Sequence, residues 1–282
     1  MSLGVARIDG GPDAFTPRNV WGGVGGAKAT FEGKSYGILA VDGRLWMWVS
    51  PGSDAEGYRE ARLAVSDDEG GTWTPLDWAF TAEDRRVFPA FLQFGPRQDG
   101  DPDNAAVYAY FIELQGAPDK LRVQRPGRVH LARADRTSLG ERAAWQFHAG
   151  LDSTGQPRWV SDASASRPVF EDPAGVGWCL SVSYHSGLQR YVLITEHRKT
   201  FGGNLGFFEA PTPWGPWSTV EYSRGWGPSE LPHRWFYGNI APGWSRGDEF
   251  VFVATGVREC DRWMSVPARF VRTRDGTPDR TP

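Results

Sequence analysis

A chain of 282 residues is long enough to bury the core of one large all-β domain, and its formal net charge of −3 supplies no basic field to grip nucleic acid. Its 35 Gly and 21 Pro are spread along the sequence, which suits many tight turns better than disorder, and no apolar run approaches the roughly 20 residues of a membrane-spanning helix. Cys179 and Cys260 have no metal-ligand spacing; they read as two buried thiols, with a single disulfide as the alternative.

Helical periodicity is nearly absent. Short runs of aromatic and β-branched residues alternate with Gly, Pro, Asp and Asn, as in strands separated by turns. Residues 3–9 form a first strand with no leader-type segment before it. Residues 36–41 and 44–49 flank Asp42-Gly43, a strong two-residue hairpin signal. A third strand, 61–66, runs into Ser66-Asp67-Asp68-Glu69-Gly70-Gly71-Thr72-Trp73. This octapeptide reads Ser-x-Asp-x-Gly-x-Thr-Trp, the Asp-box: Ser and Asp side chains bond the turn backbone, Gly takes a positive φ, and Trp plugs the layer beneath. Asp67 and Asp68 are therefore assigned to structure. The fourth strand starts at Trp73.

The pattern recurs. The second unit has strands at 88–94, 106–112 and 129–133 and an outer one at 145–147. The third has 178–184, 191–195, 205–208 and 217–220. The last has 236–240, 250–254 and 268–272. Trp73, Trp145 and Trp217 each open an outer strand and stand 72 residues apart. Four inner hairpins face five third strands, the extra one being residues 3–9. The expected fold is an all-β, five-bladed β-propeller that occupies the whole chain as one domain. It has a remnant at 3–9 whose inner strands are missing, and blades at about 34–80, 86–150, 167–222 and 234–275. The alternative is a four-bladed ring closed by the N-terminal strand.

Five stretches look like one known group. They are residues 3–8, Phe88-Pro89-x-Phe91-Leu92, Gly150-Leu151-Asp152, Ser183-Tyr184-x-x-x-Leu188-x-Arg190-Tyr191, and Ala210-Pro211-x-Pro213-Trp214-Gly215-Pro216-Trp217. Together they resemble bacterial five-bladed propellers left as domains of unknown function, similar to the propellers of endo-D-arabinanases and sialidase-like glycoside hydrolases. The resemblance implies action on a bacterial or plant polysaccharide and an acidic catalytic candidate on a hairpin upstream of residue 3, so that candidate has no counterpart here. A secreted or periplasmic place follows if sequence precedes this chain.

In a propeller the ligand face is built by segments entering the innermost strands and by loops joining second to third strands. That puts Lys34, Ser35 and Tyr36; Arg85, Arg86 and Phe88; Arg167; and His233, Arg234, Trp235 and Tyr237 on one face. Asp54, Glu56, Glu113, Glu196, His197, Glu259 and Asp261 join them. Glycoside hydrolysis uses two carboxyl groups. Glu113 and Glu196 end second strands of neighbouring units and are expected to point into one bowl as the catalytic pair. His197 is the candidate base, and its pairing with a cation would also suit a polysaccharide lyase on uronate-containing glycans. Tyr36, Arg86, Arg234, Trp235 and Tyr237 are the expected substrate-binding residues, with Trp235 and Tyr237 stacking on sugar. His185 is expected to be inert on the opposite face.

Asp99-x-Asp101-x-Asp103-Asn104 has alternating oxygen ligands but lacks the Gly and closing Glu of a calcium loop, so no cofactor is expected and structural calcium is the lesser alternative. The expected partner is an oligo- or polysaccharide, with no nucleic acid or membrane, and the chain is expected to act as a monomer. The function read from the sequence is glycoside hydrolysis. The alternatives are the lyase and a non-catalytic glycan-binding propeller.

Overall fold

Turn chemistry divides the chain into antiparallel meanders. In the computed structural model, which describes residues 3–22, 33–52, 59–95, 106–116, 121–227, 235–256 and 263–271, Asp42 and Gly43 both take positive φ (51° and 79°). That is the mirror-image turn whose twist matches two flanking strands. It joins β3 (Gly33–Val41) to β4 (Arg44–Pro51), and β5 (Glu60–Ser66) and β6 (Thr74–Thr81) complete a four-stranded sheet in sequence order.

Before it, β1 (Gly4–Gly11) pairs with β2 (Ala14–Gly22) as a separate hairpin. After it come β7 (Arg86–Gln93), β8 (Ala106–Glu113), β9 (Gly127–Asp135), β10 (Gln146–Leu151) and β11 (Pro157–Val160). The strand β12 (Pro168–Asp172) returns to pair with the first half of β9. A third meander is β13 (Ser181–His185), β14 (Arg190–Glu196), β15 (Leu205–Ala210) and β16 (Ser218–Ser223); the last is β17 (Trp235–Ile240), β18 (Glu249–Gly256) and β19 (Trp263–Arg269). A short parallel pairing of Val182 with Leu92 and Ser183 with Gln93 joins β13 to β7 and merges two meanders into one curled sheet. The fold is all-β, and among the described residues no helix is long and apolar enough to cross a membrane.

Several sequence expectations need correction. Among the described residues the N-terminal strand pairs with β2, a strand unseen in the sequence because its burial does not alternate, and it meets the last meander where Trp244 Nε1 donates to Gly10 O at 3.0 Å. The last third strand is Trp263–Arg269 rather than 268–272. Strands β11 and β12 also escaped the reading, both being short and outside the four-strand repeat.

The Ser66–Trp73 turn is held by its side chains. Gly70 N donates to Ser66 Oγ at 2.9 Å, Thr72 N to Asp68 Oδ1 at 2.8 Å, and Thr72 Oγ1 to Asp68 Oδ2 at 2.8 Å. Gly70 takes φ 91°, and the Trp73 indole, buried beneath, donates to Gly70 O at 3.0 Å. Trp145 repeats the last contact by donating to Leu139 O, whereas Trp217 packs beside Tyr110 and Phe170. All three tryptophans immediately precede the fourth strand of a meander.

The core lies between sheets. Trp48 is fully buried, 5.5 Å from both the Phe111 and the Trp145 rings, and so locks β4 against the β7–β11 meander. Hairpin β1–β2 touches both of its neighbours: Trp21 lies 6.3 Å from Trp73, and Phe15 lies 5.9 Å from Trp244 and 5.8 Å from Trp263. Trp48→Ala removes the central inter-sheet ring and is expected to lower unfolding free energy by about 3–5 kcal/mol. Urea unfolding followed by fluorescence checks this, and a loss under 1 kcal/mol is the contrary result.

Candidate functional site

The site grows from the register of β7 and β8. Arg86 opens β7 directly opposite Glu113, which closes β8. Two residues on, the β7 register shifts between Val87 and Ala90, where Phe88 takes φ 50° ahead of Pro89. A bulge of this kind bends the strand and re-aims its first residues. On the other side of β8, Phe111 faces His130 of β9. Period-two alternation therefore puts Glu113, Arg128 and His130 on one face.

A chain of hydrogen bonds results. His130, 2% exposed, sets Nε2 3.1 Å from Glu113 Oε2 and Nδ1 2.8 Å from Ser166 Oγ. Arg86, 5% exposed, donates from Nη2 to Ser166 Oγ at 2.7 Å and to Ala163 O at 2.9 Å. Glu113 also accepts from Gln115 Nε2 at 3.2 Å, and Arg85 and Arg128 lie 3.4 and 3.5 Å from its Oε1. Arg85, Arg86, Glu113, Arg128, His130 and Ser166 line a cleft of ≈ 390 Å³ together with Glu83, Asp84, Ser164, Pro168 and Glu171. Glu171 meets the same guanidinium as Glu113, with its Oε2 3.7 Å from Arg128 Nε.

Burial, then the nearby Arg86 charge, pushes the His130 imidazole down to about 4. For Glu113, burial acts upward, but the His130 hydrogen bond and charge, the Gln115 donor and the Arg128 charge together hold it below the usual carboxylate value. At neutral pH the pair is a carboxylate facing a neutral imidazole. Such a group can accept a proton or activate water. Three arginines and four carboxylates line the cleft, so its field is mixed rather than strongly of one sign.

Of the residues expected from sequence, the structure brings Glu113 and Arg86 together. Glu196 does not share their cleft: it is 2% exposed, and its carboxylate accepts from the backbone N–H groups of Phe201, Gly202 and Gly203 at 3.1, 2.6 and 3.2 Å. It anchors its own loop. His197 is fully buried, donates from Nε2 to Ser223 O at 3.0 Å and stacks on Tyr222 at 3.9 Å, so it is placed as a packing residue rather than a base. Trp235 is core too; its indole donates to Gly203 O at 3.1 Å and its ring meets Phe252 at 5.9 Å. Tyr36 is buried against Phe88, at 5.6 Å between rings. Tyr237 is half-buried, and burial raises its phenol. Asp54, Glu56, Asp99, Asp101, Asp103, Asn104, His233, Arg234, Glu259, Cys260 and Asp261 lie outside the described residues. Cys179 is a half-buried thiol pushed up by burial.

The sequence reading missed His130, Arg128, Ser166 and Glu171. His130 carries the one available signal, an ionisable side chain between the apolar Val129 and Leu131-Ala132. Ser166 and Glu171 arrive through the β12 return onto β9, a long-range pairing with no local pattern.

Residues 37–259 match the family described as Domain of unknown function (DUF4185). The chain belongs to the DUF4185 family. Among solved structures, a "putative exo-beta-1,3-galactanase" from Bifidobacterium bifidum s17 superposes on this DUF4185 chain with TM-score 0.54 and 15% identity, over 91% of this chain and 76% of that one. The GH43_1 enzyme from Xanthomonas citri gives TM-score 0.46 and 17% identity, over 85% and 69%. The GH43 endo-arabinanase from Bacillus licheniformis gives 0.43 and 14%, over 85% and 73%. The first of these shows a shared fold. A search of curated protein sequences found no match.

Burial pushes Glu196 up to about 7 against the pull of its three N–H donors. A carboxyl whose folded value lies above its unfolded value stabilises fully below about 4.5, and that contribution is lost as pH rises through about 7. The stability advantage of the DUF4185 domain over its Glu196→Ala variant is therefore expected to shrink by on the order of 2 kcal/mol between those pH values. Denaturant unfolding at several pH values checks this; an advantage that grows with pH contradicts it.

Proposed function

We propose that this DUF4185 domain is a carbohydrate-active, five-bladed β-propeller whose first blade is represented by hairpin β1–β2, and that it hydrolyses glycosidic bonds of an oligo- or polysaccharide in the Arg86–Glu113–His130 cleft. The radial reading is supported by hairpin β1–β2 contacting both the first full sheet and the last, as a member of a ring would. The fold shared with the Bifidobacterium bifidum protein points to the same architecture. The observation that carries the functional reading is Glu113: a carboxylate at a cleft, ionised at neutral pH, held from below by buried His130 and flanked by Arg85 and Arg128.

A hydrolase of this kind needs a second carboxyl group across the scissile bond. Glu171 takes that role here in place of Glu196, because Glu113 and Glu171 straddle the one guanidinium of Arg128. Glu113 activates water or attacks carbon while Glu171 protonates the leaving oxygen. Arg85 and Arg128, each about half exposed, bind sugar hydroxyls. A second reading, glycan binding without turnover, is favoured by the exposure of Glu171 (59%), since an exposed carboxyl is not held protonated for acid catalysis.

Incubation with a panel of arabinan, xylan and galactan oligosaccharides separates the readings. Hydrolysis is expected to release new reducing ends, with Glu113→Gln lowering turnover at least ~100-fold while glycan binding persists. Binding without reducing ends supports the second reading. No binding to any glycan, or full activity in the Glu113→Gln variant, overturns both.

A further inference from the structure

The Ser166 hydroxyl has one hydrogen and two acceptors within reach: His130 Nδ1 at 2.8 Å and Ala163 O at 2.7 Å. Its oxygen also receives Arg86 Nη2 at 2.7 Å. Where that hydrogen points decides the imidazole tautomer, because each ring nitrogen of a neutral histidine either donates or accepts. With the hydrogen on Nδ1, the imidazole proton must sit on Nε2 and donate to the Glu113 carboxylate. Every bond then runs one way, from Arg86 to Ser166 to His130 to Glu113. With the hydrogen on Ala163 O, His130 carries its proton on Nδ1 and donates back to Ser166 Oγ. Its Nε2 then faces Glu113 Oε2 at 3.1 Å, and two lone pairs at that distance need a proton between them. The second arrangement therefore holds one proton more than the first.

We propose that Ser166 and His130 are positioning residues that form a proton relay beneath Glu113, in which rotation of the Ser166 hydroxyl from His130 Nδ1 to Ala163 O accompanies uptake of one proton by the Glu113–His130 pair. The step balances as three transfers: one solvent proton from the cleft reaches Ser166 Oγ and turns to Ala163 O, the former serine hydrogen passes to His130 Nδ1, and the Nε2 hydrogen passes to Glu113 Oε2, leaving a neutral imidazole and a carboxylic acid. Charged groups surround the pair from every side. Glu83, Asp84 and Arg85 come from the turn before β7, Arg86 from β7 itself, Arg128 from β9, and Glu171 from β12. The buried Arg86 charge opposes an imidazolium, so the extra proton rests on the carboxyl side of the pair. The imidazole value of about 4 agrees with a relay that is unloaded at neutral pH.

The inference rests on Glu113 being the proton-transfer carboxylate of the cleft, but its test needs no glycan. Ring-nitrogen NMR of the histidine-labelled full chain, assigned with His130→Gln, reads the tautomer directly. At neutral pH His130 is expected to show a protonated Nε2 and an unprotonated, hydrogen-bonded Nδ1. On acidification Nδ1 gains its proton in a single step together with a carboxylic-acid carbonyl band in the infrared that is absent from Glu113→Gln. Ser166→Ala is expected to abolish the hydrogen-bonded Nδ1 signature and move that step, and Ser166→Thr to restore both. A protonated Nδ1 in the unaltered protein at neutral pH overturns the relay whether or not any variant folds. So does a Ser166→Ala spectrum identical to that of the unaltered protein. Activity on glycans is a separate readout, so a confirmed relay in a protein that cleaves none would refute the hydrolase reading and leave the relay standing.

Discussion

Burying a guanidinium is costly unless acceptors meet its donors, and the cleft of this domain follows from how the two terminal nitrogens of Arg86 are met, Nη1 by Arg85 O and Nη2 by Ala163 O and Ser166 Oγ, while its Nε has no partner among the described residues. Arg86 stands at the start of an inner strand with only 5% of its surface exposed. Its Nη2 reaches Ala163 O and Ser166 Oγ, which fastens the turn ahead of β12 over the end of the β7–β9 sheet. With that turn fastened, β12 runs back along β9 and delivers Glu171 to Arg128. The cross-strand partner of Arg86 is Glu113, whose carboxylate is thereby placed between a buried imidazole and two half-exposed arginines. One buried charge thus organises one wall and the roof of the cleft.

Rigidity comes from the layer beneath. Trp48, Phe80, Phe111, Trp145 and Phe147 meet edge-to-face or tilted, at ring separations of 4.9 to 6.5 Å, between two sheets. Such packing resists sliding because each ring fills a specific gap. Glu113 ends β8, which Phe111 pins to this cluster, and Arg86 opens β7, whose Phe91 ring lies 5.7 Å from Trp48. Their relative positions are therefore set by the core rather than by loops.

The sequence disclosed the fold wherever local chemistry sufficed. Asp42-Gly43 announced its hairpin, and Trp73, Trp145 and Trp217 marked the starts of three fourth strands, because turns and strand starts depend on neighbours in the chain. Half of the candidate cleft was legible for the same reason: Arg86 and Glu113 sit at strand ends whose face follows from alternation. Glu196, His197 and Trp235 were misplaced because the 197–204 loop folds back on itself. Its backbone N–H groups take up the Glu196 carboxylate, and its Gly203 carbonyl takes up the Trp235 indole. No strand-end rule reveals that a loop will consume the side chain before it. Ser166 and Glu171 depended on β12 pairing with β9, a contact specified by tertiary structure alone.

The account stands or falls on whether sugar occupies the space above Glu113. A crystal structure of the Glu113→Gln variant soaked with arabino-, xylo- and galacto-oligosaccharides tests this most directly. The account predicts a sugar ring in the cleft, within hydrogen-bond reach of residue 113 and of Arg128. Sugar bound elsewhere on the surface, or a cleft that stays empty of sugar under saturating oligosaccharide, would contradict it.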